Sequence, residues 1–223
     1  MKKFELTAES KINIFGKKLF RIKALISFGD VEEGETGGWI EKEENLEQSS
    51  GNAWVYGNAE VYGNAWVYGN AEVYGNARVY GNAWVSGNAR VSGDAEVSGN
   101  AWVYGNVEVY GNARVSGDAE VSGNAWVYGN VEVYGNARVS GNAEVSGNAD
   151  YTTIHGFGTQ FRTTTFFQCE DKQIRVSCGC FLGTIPEFRE QVKNTREGKI
   201  AEEYLMIADL MEKHFVKEKE SGE

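Results

Sequence analysis

The chain has 223 residues, with 22 Lys and Arg against 32 Asp and Glu, a formal net charge of -10. That balance argues against a general nucleic-acid coat, because tracking phosphates needs a basic field. Gly at 28 with a single Pro, at a fixed spacing, points to repeated ordered turns rather than a disordered tail, and no apolar run is long enough to cross a membrane.

Residues 1–50 read as an N-terminal β cap. The opening MKKFELTAES has a basic pair but no apolar segment, so no signal peptide is expected. Alternation through Leu19-Phe20-Arg21-Ile22-Lys23-Ala24 predicts a strand. The acidic, Gly-rich stretch Glu32–Glu47 reads as a loop leading to Gly51.

From Gly51 the chain turns periodic: GNAWVY, GNAEVY, GNAWVY, and onward to GNADYT at Gly147, seventeen six-residue units over residues 51–152 without a slip. Small-x-Val is a short strand whose Ala and Val point one way and whose central residue points the other. Gly-Asn supplies the corner, since both residues tolerate left-handed backbone. Six residues bury no core alone, but stacked coils place Ala and Val in a continuous column.

Charge decides how many units make one coil. Residues one coil apart lie about 4.8 Å from each other, where like charges destabilise. A step of 12 stacks Glu96, Glu108, Glu120, Glu132 and Glu144, and a step of 24 stacks Glu72, Glu96, Glu120 and Glu144. A step of 18 gives Glu60, Arg78, Glu96, Arg114, Glu132, Asp150 in one column. The second reads Trp54, Glu72, Arg90, Glu108, Trp126, Glu144, and the third Trp66, Trp84, Trp102, Glu120, Arg138. Only Glu132 over Asp150 is then a like-charge contact. Three hexads per coil, 18 residues, is the reading: a parallel β-helix of triangular section, a little under six coils.

With Ala53-Trp54-Val55 matching its small and aliphatic positions, the repeat resembles the left-handed parallel β-helix of the hexapeptide-repeat family. The left hand is implied by that resemblance. Many members are homotrimeric acyltransferases with a catalytic His and loops that interrupt the coils; residues 51–152 contain neither. The whole chain also resembles a group of phage and prophage proteins with GNA-type hexads. The likeness rests on Phe28-Gly-Asp-Val, Gly37-Gly-Trp-Ile40-Glu and Gly156-Phe-Gly158 followed by Phe161-Arg-Thr-Thr-Thr-Phe. It implies viral or prophage origin and no settled activity.

Residues 153–223 read as a small α+β module. Phe166–Cys169 and Gln173–Phe181 are expected to pair across the turn Glu170-Asp-Lys172. Thr184-Ile-Pro-Glu187 is a helix start, with Thr at the cap, Pro in the first turn and Glu three residues after Thr. A second helix is expected from about Lys199 to Lys217, with Ile200, Tyr204, Ile207, Met211 and Phe215 as its core stripe and a frayed end over Lys217–Glu223.

Among candidate sites the outward column Trp66, Trp84, Trp102, with Tyr68 and Tyr104 beside it, comes first. Large apolar patches on a flat face mark interfaces, and stacked rings also suit a planar ligand. The column reads as a homotrimer seam or a partner surface, or as an aromatic ladder that stiffens the solenoid. His155, in Ile154-His-Gly-Phe-Gly158, followed by Arg162, is the best place for chemistry or for an anion. The corner Asn column reads as an amide ladder. Cys169, Cys178 and Cys180 have no finger spacing, and zinc is the lesser reading beside free thiols. Three Cys, none in the repeats, fit a reduced, cytoplasmic protein. No cofactor is expected.

The expected function is therefore binding without catalysis by a phage or prophage accessory protein. Its target would be a host protein or small molecule, and counter-defence a fitting role. The other readings are an acyltransferase using His155 at a subunit boundary, and a virion structural or assembly protein.

Overall fold

The computed structural model describes residues 2–215. Three strands lead in: β1 (Phe4–Ile12), β2 (Lys18–Ala24) and β3 (Thr36–Ile40). Sixteen two-residue strands, β4 to β19, come next, one per hexad, from Trp54–Val55 to Glu144–Val145. They form three parallel ladders in which each strand pairs with the one 18 residues on, as in Arg78 with Glu96, Arg90 with Glu108 and Trp84 with Trp102. Three hexads per coil is thus the observed geometry. We call the ladders the Glu60, Trp54 and Trp66 faces after their first outward residues.

Along the coils the inside of the prism is Ala and Val: Ala83, Val85, Ala101, Val103 and their equivalents are buried, and larger side chains enter this core only at its ends. Such short strands have no stability apart from their neighbours. Backbone bonds running up the coils hold them, for example Trp84 N–H to the Ala101 carbonyl at 2.9 Å and Ser86 N–H to the Val103 carbonyl at 2.9 Å. Corner glycines are required twice over. Gly87 has φ of 68°, and a Cβ there would lie 2.8 Å from the Gly105 nitrogen of the next coil. The corner Asn residues do not share the left-handed backbone, which among non-glycines occurs only at Phe161 and Lys172 of the described residues. Their task is the side-chain ladder: Asn70 donates to Asn88 at 3.1 Å, Asn88 to Asn106 at 2.8 Å and Asn106 to Asn124 at 2.9 Å.

Outward charges pair as the columns require. Arg78 meets Glu96, Arg90 meets Glu72 at 3.2 Å, Arg114 meets Glu132 at 3.0 Å and Arg138 meets Glu120 at 3.3 Å. The one like-charge contact, Glu132 over Asp150, does not form. The seventeenth hexad leaves the coil, and Asp150 accepts bonds from the Ser146 and Gly147 N–H groups at 2.9 and 3.0 Å instead. A seventeenth coil strand would have stacked two carboxylates with no further coil to separate them.

At the N-terminal end the stretch expected as a loop holds β3 and a 3-10 turn, Glu43–Asn45. β3 pairs in parallel with the Glu60 strand and antiparallel with β2, so the cap continues the Glu60 face. It also changes the fate of Trp54. Its column position turns that ring outward, but it is 0 % exposed, with Phe28 and Phe4 at 5.4 and 6.0 Å edge-to-face. Gly37 is small because a Cβ there would meet the Trp54 ring at 2.6 Å.

At the other end the expected strand pair is a four-stranded antiparallel sheet: β20 (Tyr151–Phe157), β21 (Arg162–Gln168), β22 (Ile174–Cys178) and β23 (Phe181–Thr184). The run Gln173–Phe181 is two strands because Gly179, at φ 62°, turns the chain. Two helices complete the module, α1 (Ile185–Thr195) and α2 (Gly198–Phe215). Thr184 caps α1 in a capping box with Glu187, as the Thr-Ile-Pro-Glu signature predicts. Of the α2 stripe, Tyr204, Ile207 and Met211 are buried, with Ile200 and Phe215 partly so; the end expected to fray, Lys217–Glu223, lies outside the described residues. β21 is a wall between two cores. Phe167 packs into the solenoid core and its neighbour Phe166 into the core under the helices.

Candidate binding face

Trp66, Trp84 and Trp102 sit at the outward position of three successive coils on one face, directly over one another. Trp84 and Trp102 lie parallel, ring centroids 5.2 Å apart and 3° between planes. Trp66 instead turns edge-on to Trp84, at 87°, and stacks on Tyr68 at 4.1 Å. Exposure grows along the column, from half-buried Trp66 to 38 % at Trp84 and 48 % at Trp102. The rings therefore stand off a rigid sheet with their outer edges in solvent. Part of each is used internally, as an aromatic ladder would be.

Beyond Trp102 the same face becomes ionic. Tyr104 donates its hydroxyl to Glu120 of the next coil, and Arg138 pairs with Glu120 from the coil after. That hydrogen bond to Glu120, with burial second, raises the Tyr104 hydroxyl above its ordinary value. Tyr80 with Glu96, and Tyr128 with Glu144 at 2.8 Å, repeat the arrangement on the other faces.

The second predicted site lies on this same face. His155, on β20, has Nδ1 3.2 Å from the Thr163 hydroxyl on β21. With Arg138, Glu120, Phe161, Arg162 and Gly179 it lines an open cleft of about 600 Å³ between the last coils and the C-terminal sheet. The structure thus gathers two sequence candidates, Trp66-Trp84-Trp102 and His155 with Arg162, onto one side of the molecule. It also takes His155 out of the coils: the residue rides on an antiparallel strand, and its nearest polar partner is a hydroxyl.

Cys169 is apart from Cys178 and Cys180, which line one cleft of the C-terminal module. Cys169 is buried against the solenoid core, where burial pushes its thiol up to about 11, and Cys178 packs on the helical core. Cys180 is exposed in the turn before β23. Among the described residues, no group of three or more His, Cys, Asp or Glu is spaced to hold a metal ion. No helix among them is long and apolar enough to cross a membrane.

Two surface features escape the sequence reading. Trp126 on the Trp54 face is 49 % exposed between Glu108 and Glu144. It stands in plain view in its column, overshadowed by the run of three. The turn between β1 and β2 exposes Ile12, Ile14 and Phe15, with Phe15 5.9 Å from Tyr80. The sequence signal for it is an apolar cluster, Ile12 to Phe15, beside a glycine turn.

Two stretches of the coils, residues 71–87 and 133–147, match the family described as the YdcK beta solenoid repeat. No curated protein matches the chain. Together with the ladders described above, the match makes this a β-solenoid repeat protein.

Proposed function

We propose that this protein works by binding, without catalysis, through the Trp66–Trp84–Trp102 face. One observation carries the reading. The parallel pair Trp84 and Trp102 projects from a sheet whose backbone is bonded from coil to coil, with 38 % and 48 % of the two residues exposed. Aromatic edges held on a rigid, flat support give contact area without the entropy cost of ordering a loop. The partner in this reading is a host protein or a small planar molecule, met in the host cytoplasm. The resemblance to phage and prophage GNA-repeat proteins supports a viral or prophage origin, and sequestration of a host factor or signalling molecule as counter-defence. A homotrimer, the assembly common in the hexapeptide-repeat family, goes with the same reading.

Native mass spectrometry of gently purified protein tests this first. A trimer carrying added mass is expected, and Trp84→Ala with Trp102→Ala should release that mass while leaving the thermal melt within a few degrees. A bare monomer overturns the trimer. A double variant that retains its ligand or partner overturns the assignment of the face.

A further inference from the structure

Ion pairing of the arginines has two exceptions among the described residues, and both line one cleft. Of the chain's nine arginines, seven are ion-paired: Arg21, Arg78, Arg90, Arg114, Arg138, Arg175 and Arg189. Arg162 and Arg196 have no carboxylate partner among the described residues. They come from distant parts of the chain, the start of β21 and the residue after α1, and they line the same small cleft of the C-terminal module. No Asp or Glu of the described residues lines it, although the chain carries 32 of them. The neighbouring polar groups are the hydroxyls of Thr159 and Thr195 and the amides of Gln160 and Gln191.

The cleft is built rather than incidental. Its floor is Phe188, Val192 and Tyr204, all buried. Two glycines make room for its side chains. A Cβ on Gly179 would lie 2.6 Å from Nη1 of Arg162, and one on Gly158 would lie 2.5 Å from the Tyr204 hydroxyl. Both adopt positive φ, 62° and 71°. Phe161, immediately before Arg162, takes a left-handed φ of 47° with 65 % of it exposed, a backbone conformation uncommon for a non-glycine residue. Both guanidiniums act on one floor group. Burial and then Cys178 raise the Tyr204 hydroxyl above its ordinary value, and Arg196 and Arg162 pull it the other way. They therefore project their field into a common space.

We propose that this cleft binds the phosphate group of a small phosphate monoester, with Arg162 and Arg196 holding the dianion and the Phe181–Phe188 wall receiving the group it esterifies. Two cations without a counter-charge match a dianion better than a carboxylate. Guanidinium forks donate in pairs to phosphate oxygens, and the Thr159 hydroxyl and the Gln160 and Gln191 amides at the rim are further donors, while the Thr195 hydroxyl already donates to the Gln191 carbonyl at 2.7 Å. Phe181 and Phe188, centroids 5.5 Å apart, offer an apolar wall beside the charge. The volume, about 170 Å³, is the space of roughly six waters, so the ligand is compact. Arg162 borders both this cleft and the open cleft beside His155, but no Trp lines either, so the site stands or falls without the Trp rings.

Titration calorimetry at constant ionic strength with phenyl phosphate, and with benzoate as the monoanionic match, tests the assignment. Phenyl phosphate should bind saturably, and more tightly than benzoate by about tenfold or more. Arg162→Ala and Arg196→Ala should each weaken it by about tenfold or more, with Arg162→Lys recovering part of the loss. Trp84→Ala should leave it unchanged, which separates this site from the binding face. Circular dichroism melts confirm that each variant is folded. Absence of saturable binding, equal affinity for benzoate, or wild-type affinity in folded Arg162→Ala and Arg196→Ala proteins overturns the proposal. So does loss of phenyl phosphate binding on Trp84→Ala alone.

Discussion

In the solenoid, a buried Val meets its counterpart 18 residues away, Val85 against Val103. In the C-terminal module Phe166 meets Phe188 of α1 at 6.2 Å, and Phe188 meets Tyr204 of α2 at 5.8 Å. The first core is a sum of identical neighbour contacts, and its stability is spread over every coil. The second concentrates on a few large side chains from the C-terminal sheet and two helices. Regularity makes the solenoid a good support for a repeated surface, such as the Trp column. Irregularity lets the module bring unlike residues together, such as Arg162 and Arg196. β21 joins the two, with Phe167 facing one core and Phe166 the other.

The sharpest way to break this comparison uses that pair. All six Trp lie between residues 39 and 126, and both α-helices lie after residue 184. Tryptophan fluorescence therefore follows the solenoid and the 222 nm dichroism follows the module. Phe166→Ala should cost about 3–5 kcal/mol and move the helical transition in urea ahead of the fluorescence transition. Phe167→Ala, a loss of similar size, should move the fluorescence transition. If both signals shift together in both variants, the two cores are a single cooperative unit and the distinction fails.

Smaller changes sharpen the same contrast. Thr184→Ala removes the α1 cap and should cost the module about 1 kcal/mol, read at 222 nm. Asn88→Ala cuts one rung of an exposed ladder, whose bonds to Asn70 and Asn106 are 3.1 and 2.8 Å. It should cost the solenoid only about 0.5 kcal/mol, read by fluorescence. An equal or larger cost for Asn88→Ala would mean that the ladder, and not the Val column, carries the coil.

The last and mildest test is alkaline pH, which acts chiefly on the solenoid ends. Burial lowers the Lys3 ammonium to about 8 from its ordinary 10.5. The folded chain then binds fewer protons than the unfolded one between those values, so stability rises with pH from about 8. Tyr56 and Tyr151 are raised by burial to about 12 from 10.0. The unfolded chain loses those protons first, so stability falls as pH climbs from 10 through 12. The fluorescence-detected melt should peak between pH 8 and 10, and Lys3→Met should flatten the rise on the acid side of that peak. A melt unchanged from pH 7 to 10 would place the Lys3 ammonium in water rather than under the cap.

What could be read in advance divides along the same line. The 18-residue coil was legible because Glu60, Arg78, Glu96 and Arg114 alternate only at that step, and electrostatics acts on the nearest coil. Thr184 at its cap was legible because the capping box is local. Trp54 was misplaced for the opposite reason. Its periodic position says outward, and only β1 to β3, folding back from outside the repeat, cover it. The Glu32–Glu47 stretch was misread because β3 is a strand only by pairing with β2 on one side and the Glu60 strand on the other; its Thr-Gly-Gly-Trp-Ile has no alternation of its own.

The sequence alone determined the repeat, the three-column arrangement, the Ala–Val core and the one-sided run of Trp66, Trp84 and Trp102. Each depends on residues at a constant separation, and one period describes them all. Tertiary structure decided the cap over Trp54, the escape of Asp150 from Glu132, and the alignment of His155 and Arg162 with the Trp face. It also decided the meeting of Arg162 with Arg196. Those contacts join segments with no shared period, and their geometry comes from how the ends of the solenoid are closed.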